Sequence, residues 1–143
     1  MERVESILHR KRKGHVIEYG VNTFSCLDNF RFLTSRVDFF WSIFSITCCA
    51  WVGSFREIAM HRYANNVSKY FRRGYCSYDY ENGLFTHTME VSYCEAEEMD
   101  DDDLLRILLY SADKLYDCAI GIVMISDGSD AETEAYFSTR WTG

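Results

Sequence analysis

Alternation of apolar and polar positions is clearest around the middle of the chain. Two alternating segments, residues 75–81 and 84–94, flank Asn82-Gly83, a dipeptide favoured in two-residue hairpin turns because both turn residues take positive φ. Such a turn sets Tyr78 opposite His87 and collects the larger apolar side chains on one face. That face comprises Cys76, Tyr78, Tyr80, Phe85, His87, Met89 and Val91. The pattern predicts a β-hairpin with this face turned toward the core.

Helical periodicity replaces the alternation on both sides of this hairpin. Residues 55–73 form an amphipathic pattern that predicts a helix capped by Ser54 and closed by Gly74. Its apolar face comprises Met60, Tyr63, Ala64, Val67, Tyr70 and Phe71. An acidic connector at residues 95–103 then leads into a second helical pattern that runs to residue 126. The apolar stripe of this second helix comprises Leu104, Leu105, Leu108, Ala112, Leu115, Ala119 and Ile122. Arg106, Tyr110, Asp113 and Asp117 are expected to face away from the core.

The amino-terminal part of the chain favours a short helix followed by extended segments. Residues 2–13 predict the helix, residues 15–27 predict a first strand, and segments around 30–32 and 39–50 predict two more, rich in aromatic and β-branched residues. A short helix is also expected around residues 131–139. The order of elements is therefore helix, three strands, helix, two strands, helix.

This order predicts an α+β fold, with an antiparallel five-stranded sheet and its long helices packed on one face. No proline and no Gly/Ser-rich linker interrupts the chain, so residues 1–143 are expected to form a single domain. The most apolar run, residues 39–52, is shorter than the ~20 residues that a membrane-spanning helix needs. We interpret it as a buried strand and expect no membrane association.

The hairpin and the helix after it resemble those of the YbjN-like domain family. The resemblance is carried by residues 74–91, GYCSYDYENGLFTHTMEV, the acidic connector, and residues 103–116, DLLRILLYSADKLY. It covers residues 15–125, and the family is similar in fold to type III secretion chaperones. The resemblance implies a non-enzymatic, often dimeric domain with a binding or regulatory role, and it transfers no catalytic residues.

Aromatic residues are more numerous than a core of this size requires. The chain holds 3 tryptophans, 10 tyrosines and 10 phenylalanines among 143 residues. We expect part of this aromatic surface to stay on the outer sheet face or at a helix edge, and exposed aromatic groups favour interfaces. Phe39, Trp41 and Trp51 are the candidate protein-binding residues. Their partner would be another polypeptide or, in a homodimer, a second copy of the chain.

Charge is distributed unevenly along the chain. Residues 1–73 hold 12 Lys and Arg against 6 Asp and Glu, whereas residues 74–143 hold 3 against 16. A basic half can bind polyanions, but the formal net charge of −7 would repel nucleic-acid phosphates. We therefore interpret the asymmetry as complementarity within one domain and predict no nucleic-acid partner.

A thiol-dependent enzyme or a small-ligand-binding protein is the alternative hypothesis, and it depends on Cys76 and His87. The predicted register places them diagonally on one face, roughly 7–8 Å apart at the backbone. A cysteine nucleophile also needs a group that orients its base, and the sequence offers none. A packed core explains the same face, so no catalytic residue is predicted.

Cofactor and metal motifs are missing from the sequence. There is no Cys-x-x-Cys or His-x-x-x-His spacing and no Gly-rich phosphate loop, and residues 100–103 fit a solvated helix start better than a calcium loop. The six cysteines, with no secretion-signal pattern before them, are expected to be reduced core residues. These features predict a cytoplasmic protein without cofactor or metal.

Overall fold

The computed structural model shows an α+β fold built on one antiparallel sheet. The structure describes residue 3, residues 16–20, 23–27 and 33–126, and residue 128; side chains are described for residue 3 and from residue 35 onward. The strands are β1 (Val16–Gly20), β2 (Thr23–Leu27), β3 (Leu33–Phe39), β4 (Ile43–Trp51), β5 (Tyr75–Asp79) and β6 (Leu84–Ser92). The helices are α1 (Glu57–Ser68), α2 (Tyr93–Glu98) and α3 (Asp101–Ser126).

Within the described residues, the sheet contains six strands in the order β1-β2-β3-β4-β6-β5, with every neighbouring pair antiparallel. The predicted α+β class and antiparallel sheet are confirmed, whereas the predicted count of five strands is wrong. The segment predicted as one strand, residues 15–27, contains two, because β1 and β2 pair antiparallel with each other from Val16 opposite Leu27 to Gly20 opposite Thr23. The predicted helices at residues 2–13 and 131–139 lie outside the described residues, apart from Arg3.

The central hairpin forms, but its register differs from the prediction by two residues. Tyr78 pairs with Phe85 and Cys76 pairs directly with His87, so the loop spans residues 80–83 instead of two residues. Asp79 explains the longer loop, because its carboxylate accepts hydrogen bonds from the backbone N–H and side-chain amide of Asn82. A shift of two preserves the side-chain faces, so the predicted inward face is correct except at Tyr80, which is exposed.

Helix boundaries also differ from the sequence prediction. Ser54 does not cap α1; its hydroxyl donates to Tyr80 O at 2.6 Å, and Arg56, with φ of 50°, occupies the N-cap position. The helix ends at Ser68 rather than at residue 73. The acidic connector is itself partly helical, because Ser92 accepts a hydrogen bond from Glu95 N and so caps α2.

The long helices α1 and α3 cover one face of the sheet and bury two clusters of side chains. The first core cluster lies between α1, β5 and the carboxyl-terminal half of α3, and includes Cys48, Met60, Tyr63, Val67, Cys76, Tyr78, Phe85, Leu115, Cys118, Ile122 and Ile125. The second core cluster lies under the amino-terminal half of α3 and comprises Val37, Phe44, Ile46, Met89, Val91, Ala96, Leu104 and Leu108. The helices therefore pack on one face, as predicted.

Helix α3 is 26 residues long and begins with three aspartates, Asp101, Asp102 and Asp103. Neither α3 nor another helix in the described part of the chain has an apolar stretch sufficient to cross a lipid bilayer.

Candidate functional site

The three predicted protein-binding residues occupy different parts of the fold. Phe39 ends β3 on the helix-covered face, where it is half-buried and its ring lies 6.2 Å from that of Phe44. Trp41 lies in the turn after it, and Trp51 ends β4, about 26 Å of extended chain from Ile43. The structure therefore does not bring the three side chains together. Trp41 and Trp51 are exposed, whereas Phe39 helps to anchor the turn.

The turn between β3 and β4 presents the most exposed aromatic side chain described. Trp41 is 98% exposed and its neighbour Phe40 is 58% exposed. The turn is closed by a hydrogen bond from Phe40 N to Ile43 O at 2.9 Å. Tyr93 holds it from the side: its hydroxyl donates to Phe40 O at 2.9 Å, and its backbone N–H donates to Ser42 O at 3.1 Å. We call residues 40–42 the aromatic turn.

Trp51 belongs to a second exposed apolar region at the opposite end of β4. Trp51 is 57% exposed, and Phe55 and Ile58 in the following loop and helix are exposed as well. The loop is fastened by Tyr78, whose hydroxyl donates to Gly53 O at 2.7 Å and accepts from Phe55 N at 3.1 Å. The two ends of β4 thus offer separate surfaces.

The outer edge of β5 is partly closed to further strand pairing. The Ser68 hydroxyl at the end of α1 accepts the Cys76 N–H at 2.7 Å and lies 3.1 Å from Cys76 O. These are the backbone groups that an added strand would need, so the contact protects the sheet edge. A partner is better accommodated at the exposed aromatic groups than at this edge.

Cys76 and His87 face each other across β5 and β6, closer than predicted, but both are buried and engaged. His87 Nε2 lies 3.0 Å from Arg73 O, which can only accept, so Nε2 carries the proton. Nδ1 then accepts from the Ser111 hydroxyl at 2.7 Å. Neither ring nitrogen remains available to remove a proton from a thiol.

The pKa values of this pair move away from those a thiolate–imidazolium pair requires. A hydrogen bond with Cys118 and burial raise the pKa of the Cys76 thiol, while burial lowers the pKa of His87 to about 4. The thiol therefore stays protonated and the imidazole neutral at pH 7. These states do not fit nucleophilic catalysis, which needs a thiolate.

Side chains are described for five of the six cysteines, and all five are free thiols. Cys48, Cys76 and Cys118 are buried as expected for core residues, whereas Cys94 is exposed on α2 and departs from that expectation. Among the described residues, no group of three or more histidine, cysteine or acidic side chains is arranged to hold a metal ion.

A buried ion pair on α3 was not anticipated from the sequence. Lys114 Nζ lies 3.4 Å from Asp117 Oδ2 and 5.0 Å from the centroid of the Tyr110 ring, and both charged residues are buried. Asp117 was expected to face away from the core. The sequence signal for this ion pair is its spacing, because a lysine and an aspartate three positions apart can contact each other on a helix.

Comparisons with protein-family models, with curated proteins and with solved structures found no match to this chain.

Proposed function

We propose that this protein is a non-enzymatic, cytoplasmic protein-binding domain of the YbjN-like kind, chaperone-like or regulatory, that acts as a dimer. The observation that carries the proposal is the aromatic turn, in which Trp41 and Phe40 project from a loop fixed by Tyr93. Exposed tryptophan and phenylalanine side chains bury large areas on contact and are enriched at interfaces.

Fixation of the turn matters as much as its exposure. A loop already held in one conformation loses less conformational freedom when a partner binds, so more of the contact energy remains as affinity. The two hydrogen bonds from Tyr93 and the turn bond at Phe40 supply that fixation. The α+β class and the helices on one sheet face support the family resemblance carried by residues 74–91 and 103–116, although four strands, not three, precede α1.

The first partner to test is a second copy of the chain. We expect light scattering after size-exclusion chromatography to give twice the 16.8 kDa mass of one chain. Replacement of Trp41 and Phe40 by serine should weaken dimerisation by about tenfold or more, because a central aromatic contact is often worth over 1.4 kcal/mol.

The matched control is Tyr75→Ser, which removes an exposed aromatic residue on β5, away from the turn. This variant should dimerise as the wild type does. A wild-type protein that stays monomeric at about 100 µM, or a dimer indifferent to both turn substitutions, would contradict the proposal.

A further inference from the structure

A pocket of about 340 Å³ lies between the loop before β5 and the amino-terminal half of α3. Its lining combines three guanidinium groups, one carboxylate, one phenol and apolar side chains: Arg72, Arg73, Met99, Asp103, Arg106, Ile107 and Tyr110. The volume falls at the lower end of the range typical of small-ligand sites, roughly 300–1,000 Å³. We call it the arginine pocket.

Three arginine side chains line the pocket beside one carboxylate, that of Asp103. Arg73 is paired with Glu95, and Arg106 contacts Asp103 at 3.2 Å through a largely exposed pair. The side chain of Arg72 is exposed and has no ion-pair partner among the described residues. An exposed i,i+3 pair contributes little, so Arg106 can exchange Asp103 for a ligand carboxylate at small cost.

Tyr110 adds a hydrogen-bond donor to the wall of the arginine pocket. Its hydroxyl oxygen accepts the backbone N–H groups of Arg72 at 3.1 Å and Arg73 at 3.3 Å. The proton of that hydroxyl has no acceptor in the part of the chain that the structure describes. It is thus a fixed donor beside two guanidinium groups, a combination suited to carboxylate oxygens.

Apart from Asp103, the remaining lining is apolar, and Arg3 holds part of it in place. Met99 and Ile107 contribute hydrocarbon and thioether surface next to the charged groups. Arg3 fastens the junction between α2 and α3, since its guanidinium donates to Ala96 O at 2.8 Å and Met99 O at 2.5 Å. A ligand that fits this lining carries a negative charge at one end and an apolar group next to it.

We propose that the arginine pocket binds a carboxylate attached to an apolar residue of a polypeptide partner. The carboxylate lies against Arg72, Arg106 and the Tyr110 hydroxyl, and the apolar side chain lies against Met99 and Ile107. This inference rests on the proposed protein-binding function and assigns it a second, chemically selective contact. Charge complementarity and the unused phenol proton favour this occupant over an uncharged one.

The test compares three synthetic peptides by calorimetry or by NMR titration. N-acetyl-Ala-Leu with a free carboxylate presents a chain terminus, N-acetyl-Leu-Glu-Leu carboxamide presents a side-chain carboxylate, and N-acetyl-Ala-Leu carboxamide presents neither. At least one of the two carboxylate peptides should bind about tenfold tighter than the carboxamide of N-acetyl-Ala-Leu, as expected for a charge-assisted contact. The carboxylate peptide that binds shows whether the carboxylate belongs to a chain terminus or to an acidic side chain.

Charge-matched variants locate the effect. Arg72→Gln and Arg106→Gln should each remove the preference for the carboxylate, while Lys69→Gln, an exposed cation outside the pocket, should keep it. Equal binding of all three peptides, or no binding at about 5 mM, would overturn the inference. Binding of inorganic phosphate without either carboxylate peptide would overturn it too, since it identifies a free-anion site.

The two proposals fail separately. Dimerisation that depends on Trp41 and persists in Arg72→Gln supports the proposed function alone, even when no peptide enters the arginine pocket. Absence of both dimerisation and peptide binding would reject the protein-binding hypothesis as a whole.

Discussion

The two core clusters lie on one sheet face but are stabilised in different ways. The second core cluster is built from hydrocarbon and thioether side chains alone. The first contains three thiols and two tyrosines whose hydroxyls reach backbone carbonyls, Tyr63 to Cys118 O at 3.3 Å and Tyr78 to Gly53 O at 2.7 Å. Shape complementarity governs the second cluster, whereas directional bonds add to packing in the first.

The second cluster supports both proposed binding features. Phe44 packs on the rings of Phe39 and Tyr93, which carry the aromatic turn, and Met99, Ile107 and Tyr110 of the arginine pocket pack against the same cluster. His87, beside the first cluster, adds a polar contact to the pocket, because it bonds Arg73 O and its ring lies 5.7 Å from that of Tyr110. The hydrophobic contact thus depends on the apolar cluster alone, whereas the charged contact depends on that cluster and on His87.

The largest expected effect is loss of packing in the second cluster. Phe44→Ala should lower the free energy of unfolding by about 3–5 kcal/mol, because Phe44 is fully buried and its removal leaves a cavity. Urea unfolding followed by circular dichroism measures the change, and Phe44→Leu gives a folded variant with a smaller loss. The control Tyr75→Ala removes an exposed ring outside the aromatic turn and should change stability by less than about 0.5 kcal/mol. Equal losses in both alanine variants would refute the burial argument.

Acid should weaken the polar region in particular. His87 has a pKa of about 4 in the folded protein against 6.5 in the unfolded chain, so the unfolded state binds the extra proton first as pH falls. The neutral imidazole makes its full contribution to the free energy of unfolding above pH 6.5. That contribution declines between pH 6.5 and pH 4, by on the order of 3 kcal/mol. Burial is the main cause, and the charge of Lys114 adds to it.

The variant His87→Gln isolates this titration from those of other groups. It keeps a side chain able to bond Ser111 and Arg73 O but cannot take up a proton. The difference in unfolding free energy between wild type and variant should shrink between pH 7 and pH 4.5, whereas that caused by Phe44→Leu should stay constant. Parallel pH profiles for wild type and His87→Gln would show that His87 does not carry the acid sensitivity.

Periodicity in the sequence predicted what is repeated along the chain and missed what depends on single contacts. The inward face of the hairpin follows from period two and survives the register shift except at Tyr80. Met60, Tyr63 and Val67 are buried as the helical pattern required, whereas Tyr70, predicted on the same face, is exposed because the helix ends at Ser68. The shift itself depends on Asp79 bonding Asn82, a local side-chain contact that turn statistics for Asn-Gly do not include.

Functional geometry was less accessible to sequence reasoning, because it joins residues distant along the chain. Tyr110 was expected to face away from the core, yet its hydroxyl caps the backbone of Arg72 and Arg73, which precede it by more than 35 positions. Aromatic surplus correctly indicated exposed rings such as Trp41 and Trp51. It could not show that Phe39 serves the turn from the buried side.

The smallest expected effect distinguishes a buried hydrogen bond of a tyrosine hydroxyl from an exposed one. Tyr78→Phe keeps the ring but leaves Gly53 O without its hydroxyl donor, so it should cost about 1–2 kcal/mol of unfolding free energy. Tyr93→Phe makes the same change beside the second cluster, where water can replace the exposed bond to Phe40 O, and should cost under about 0.5 kcal/mol. Urea unfolding of both variants measures the two losses of unfolding free energy. A larger loss in Tyr93→Phe would mean that the apolar region depends on directional bonds as well.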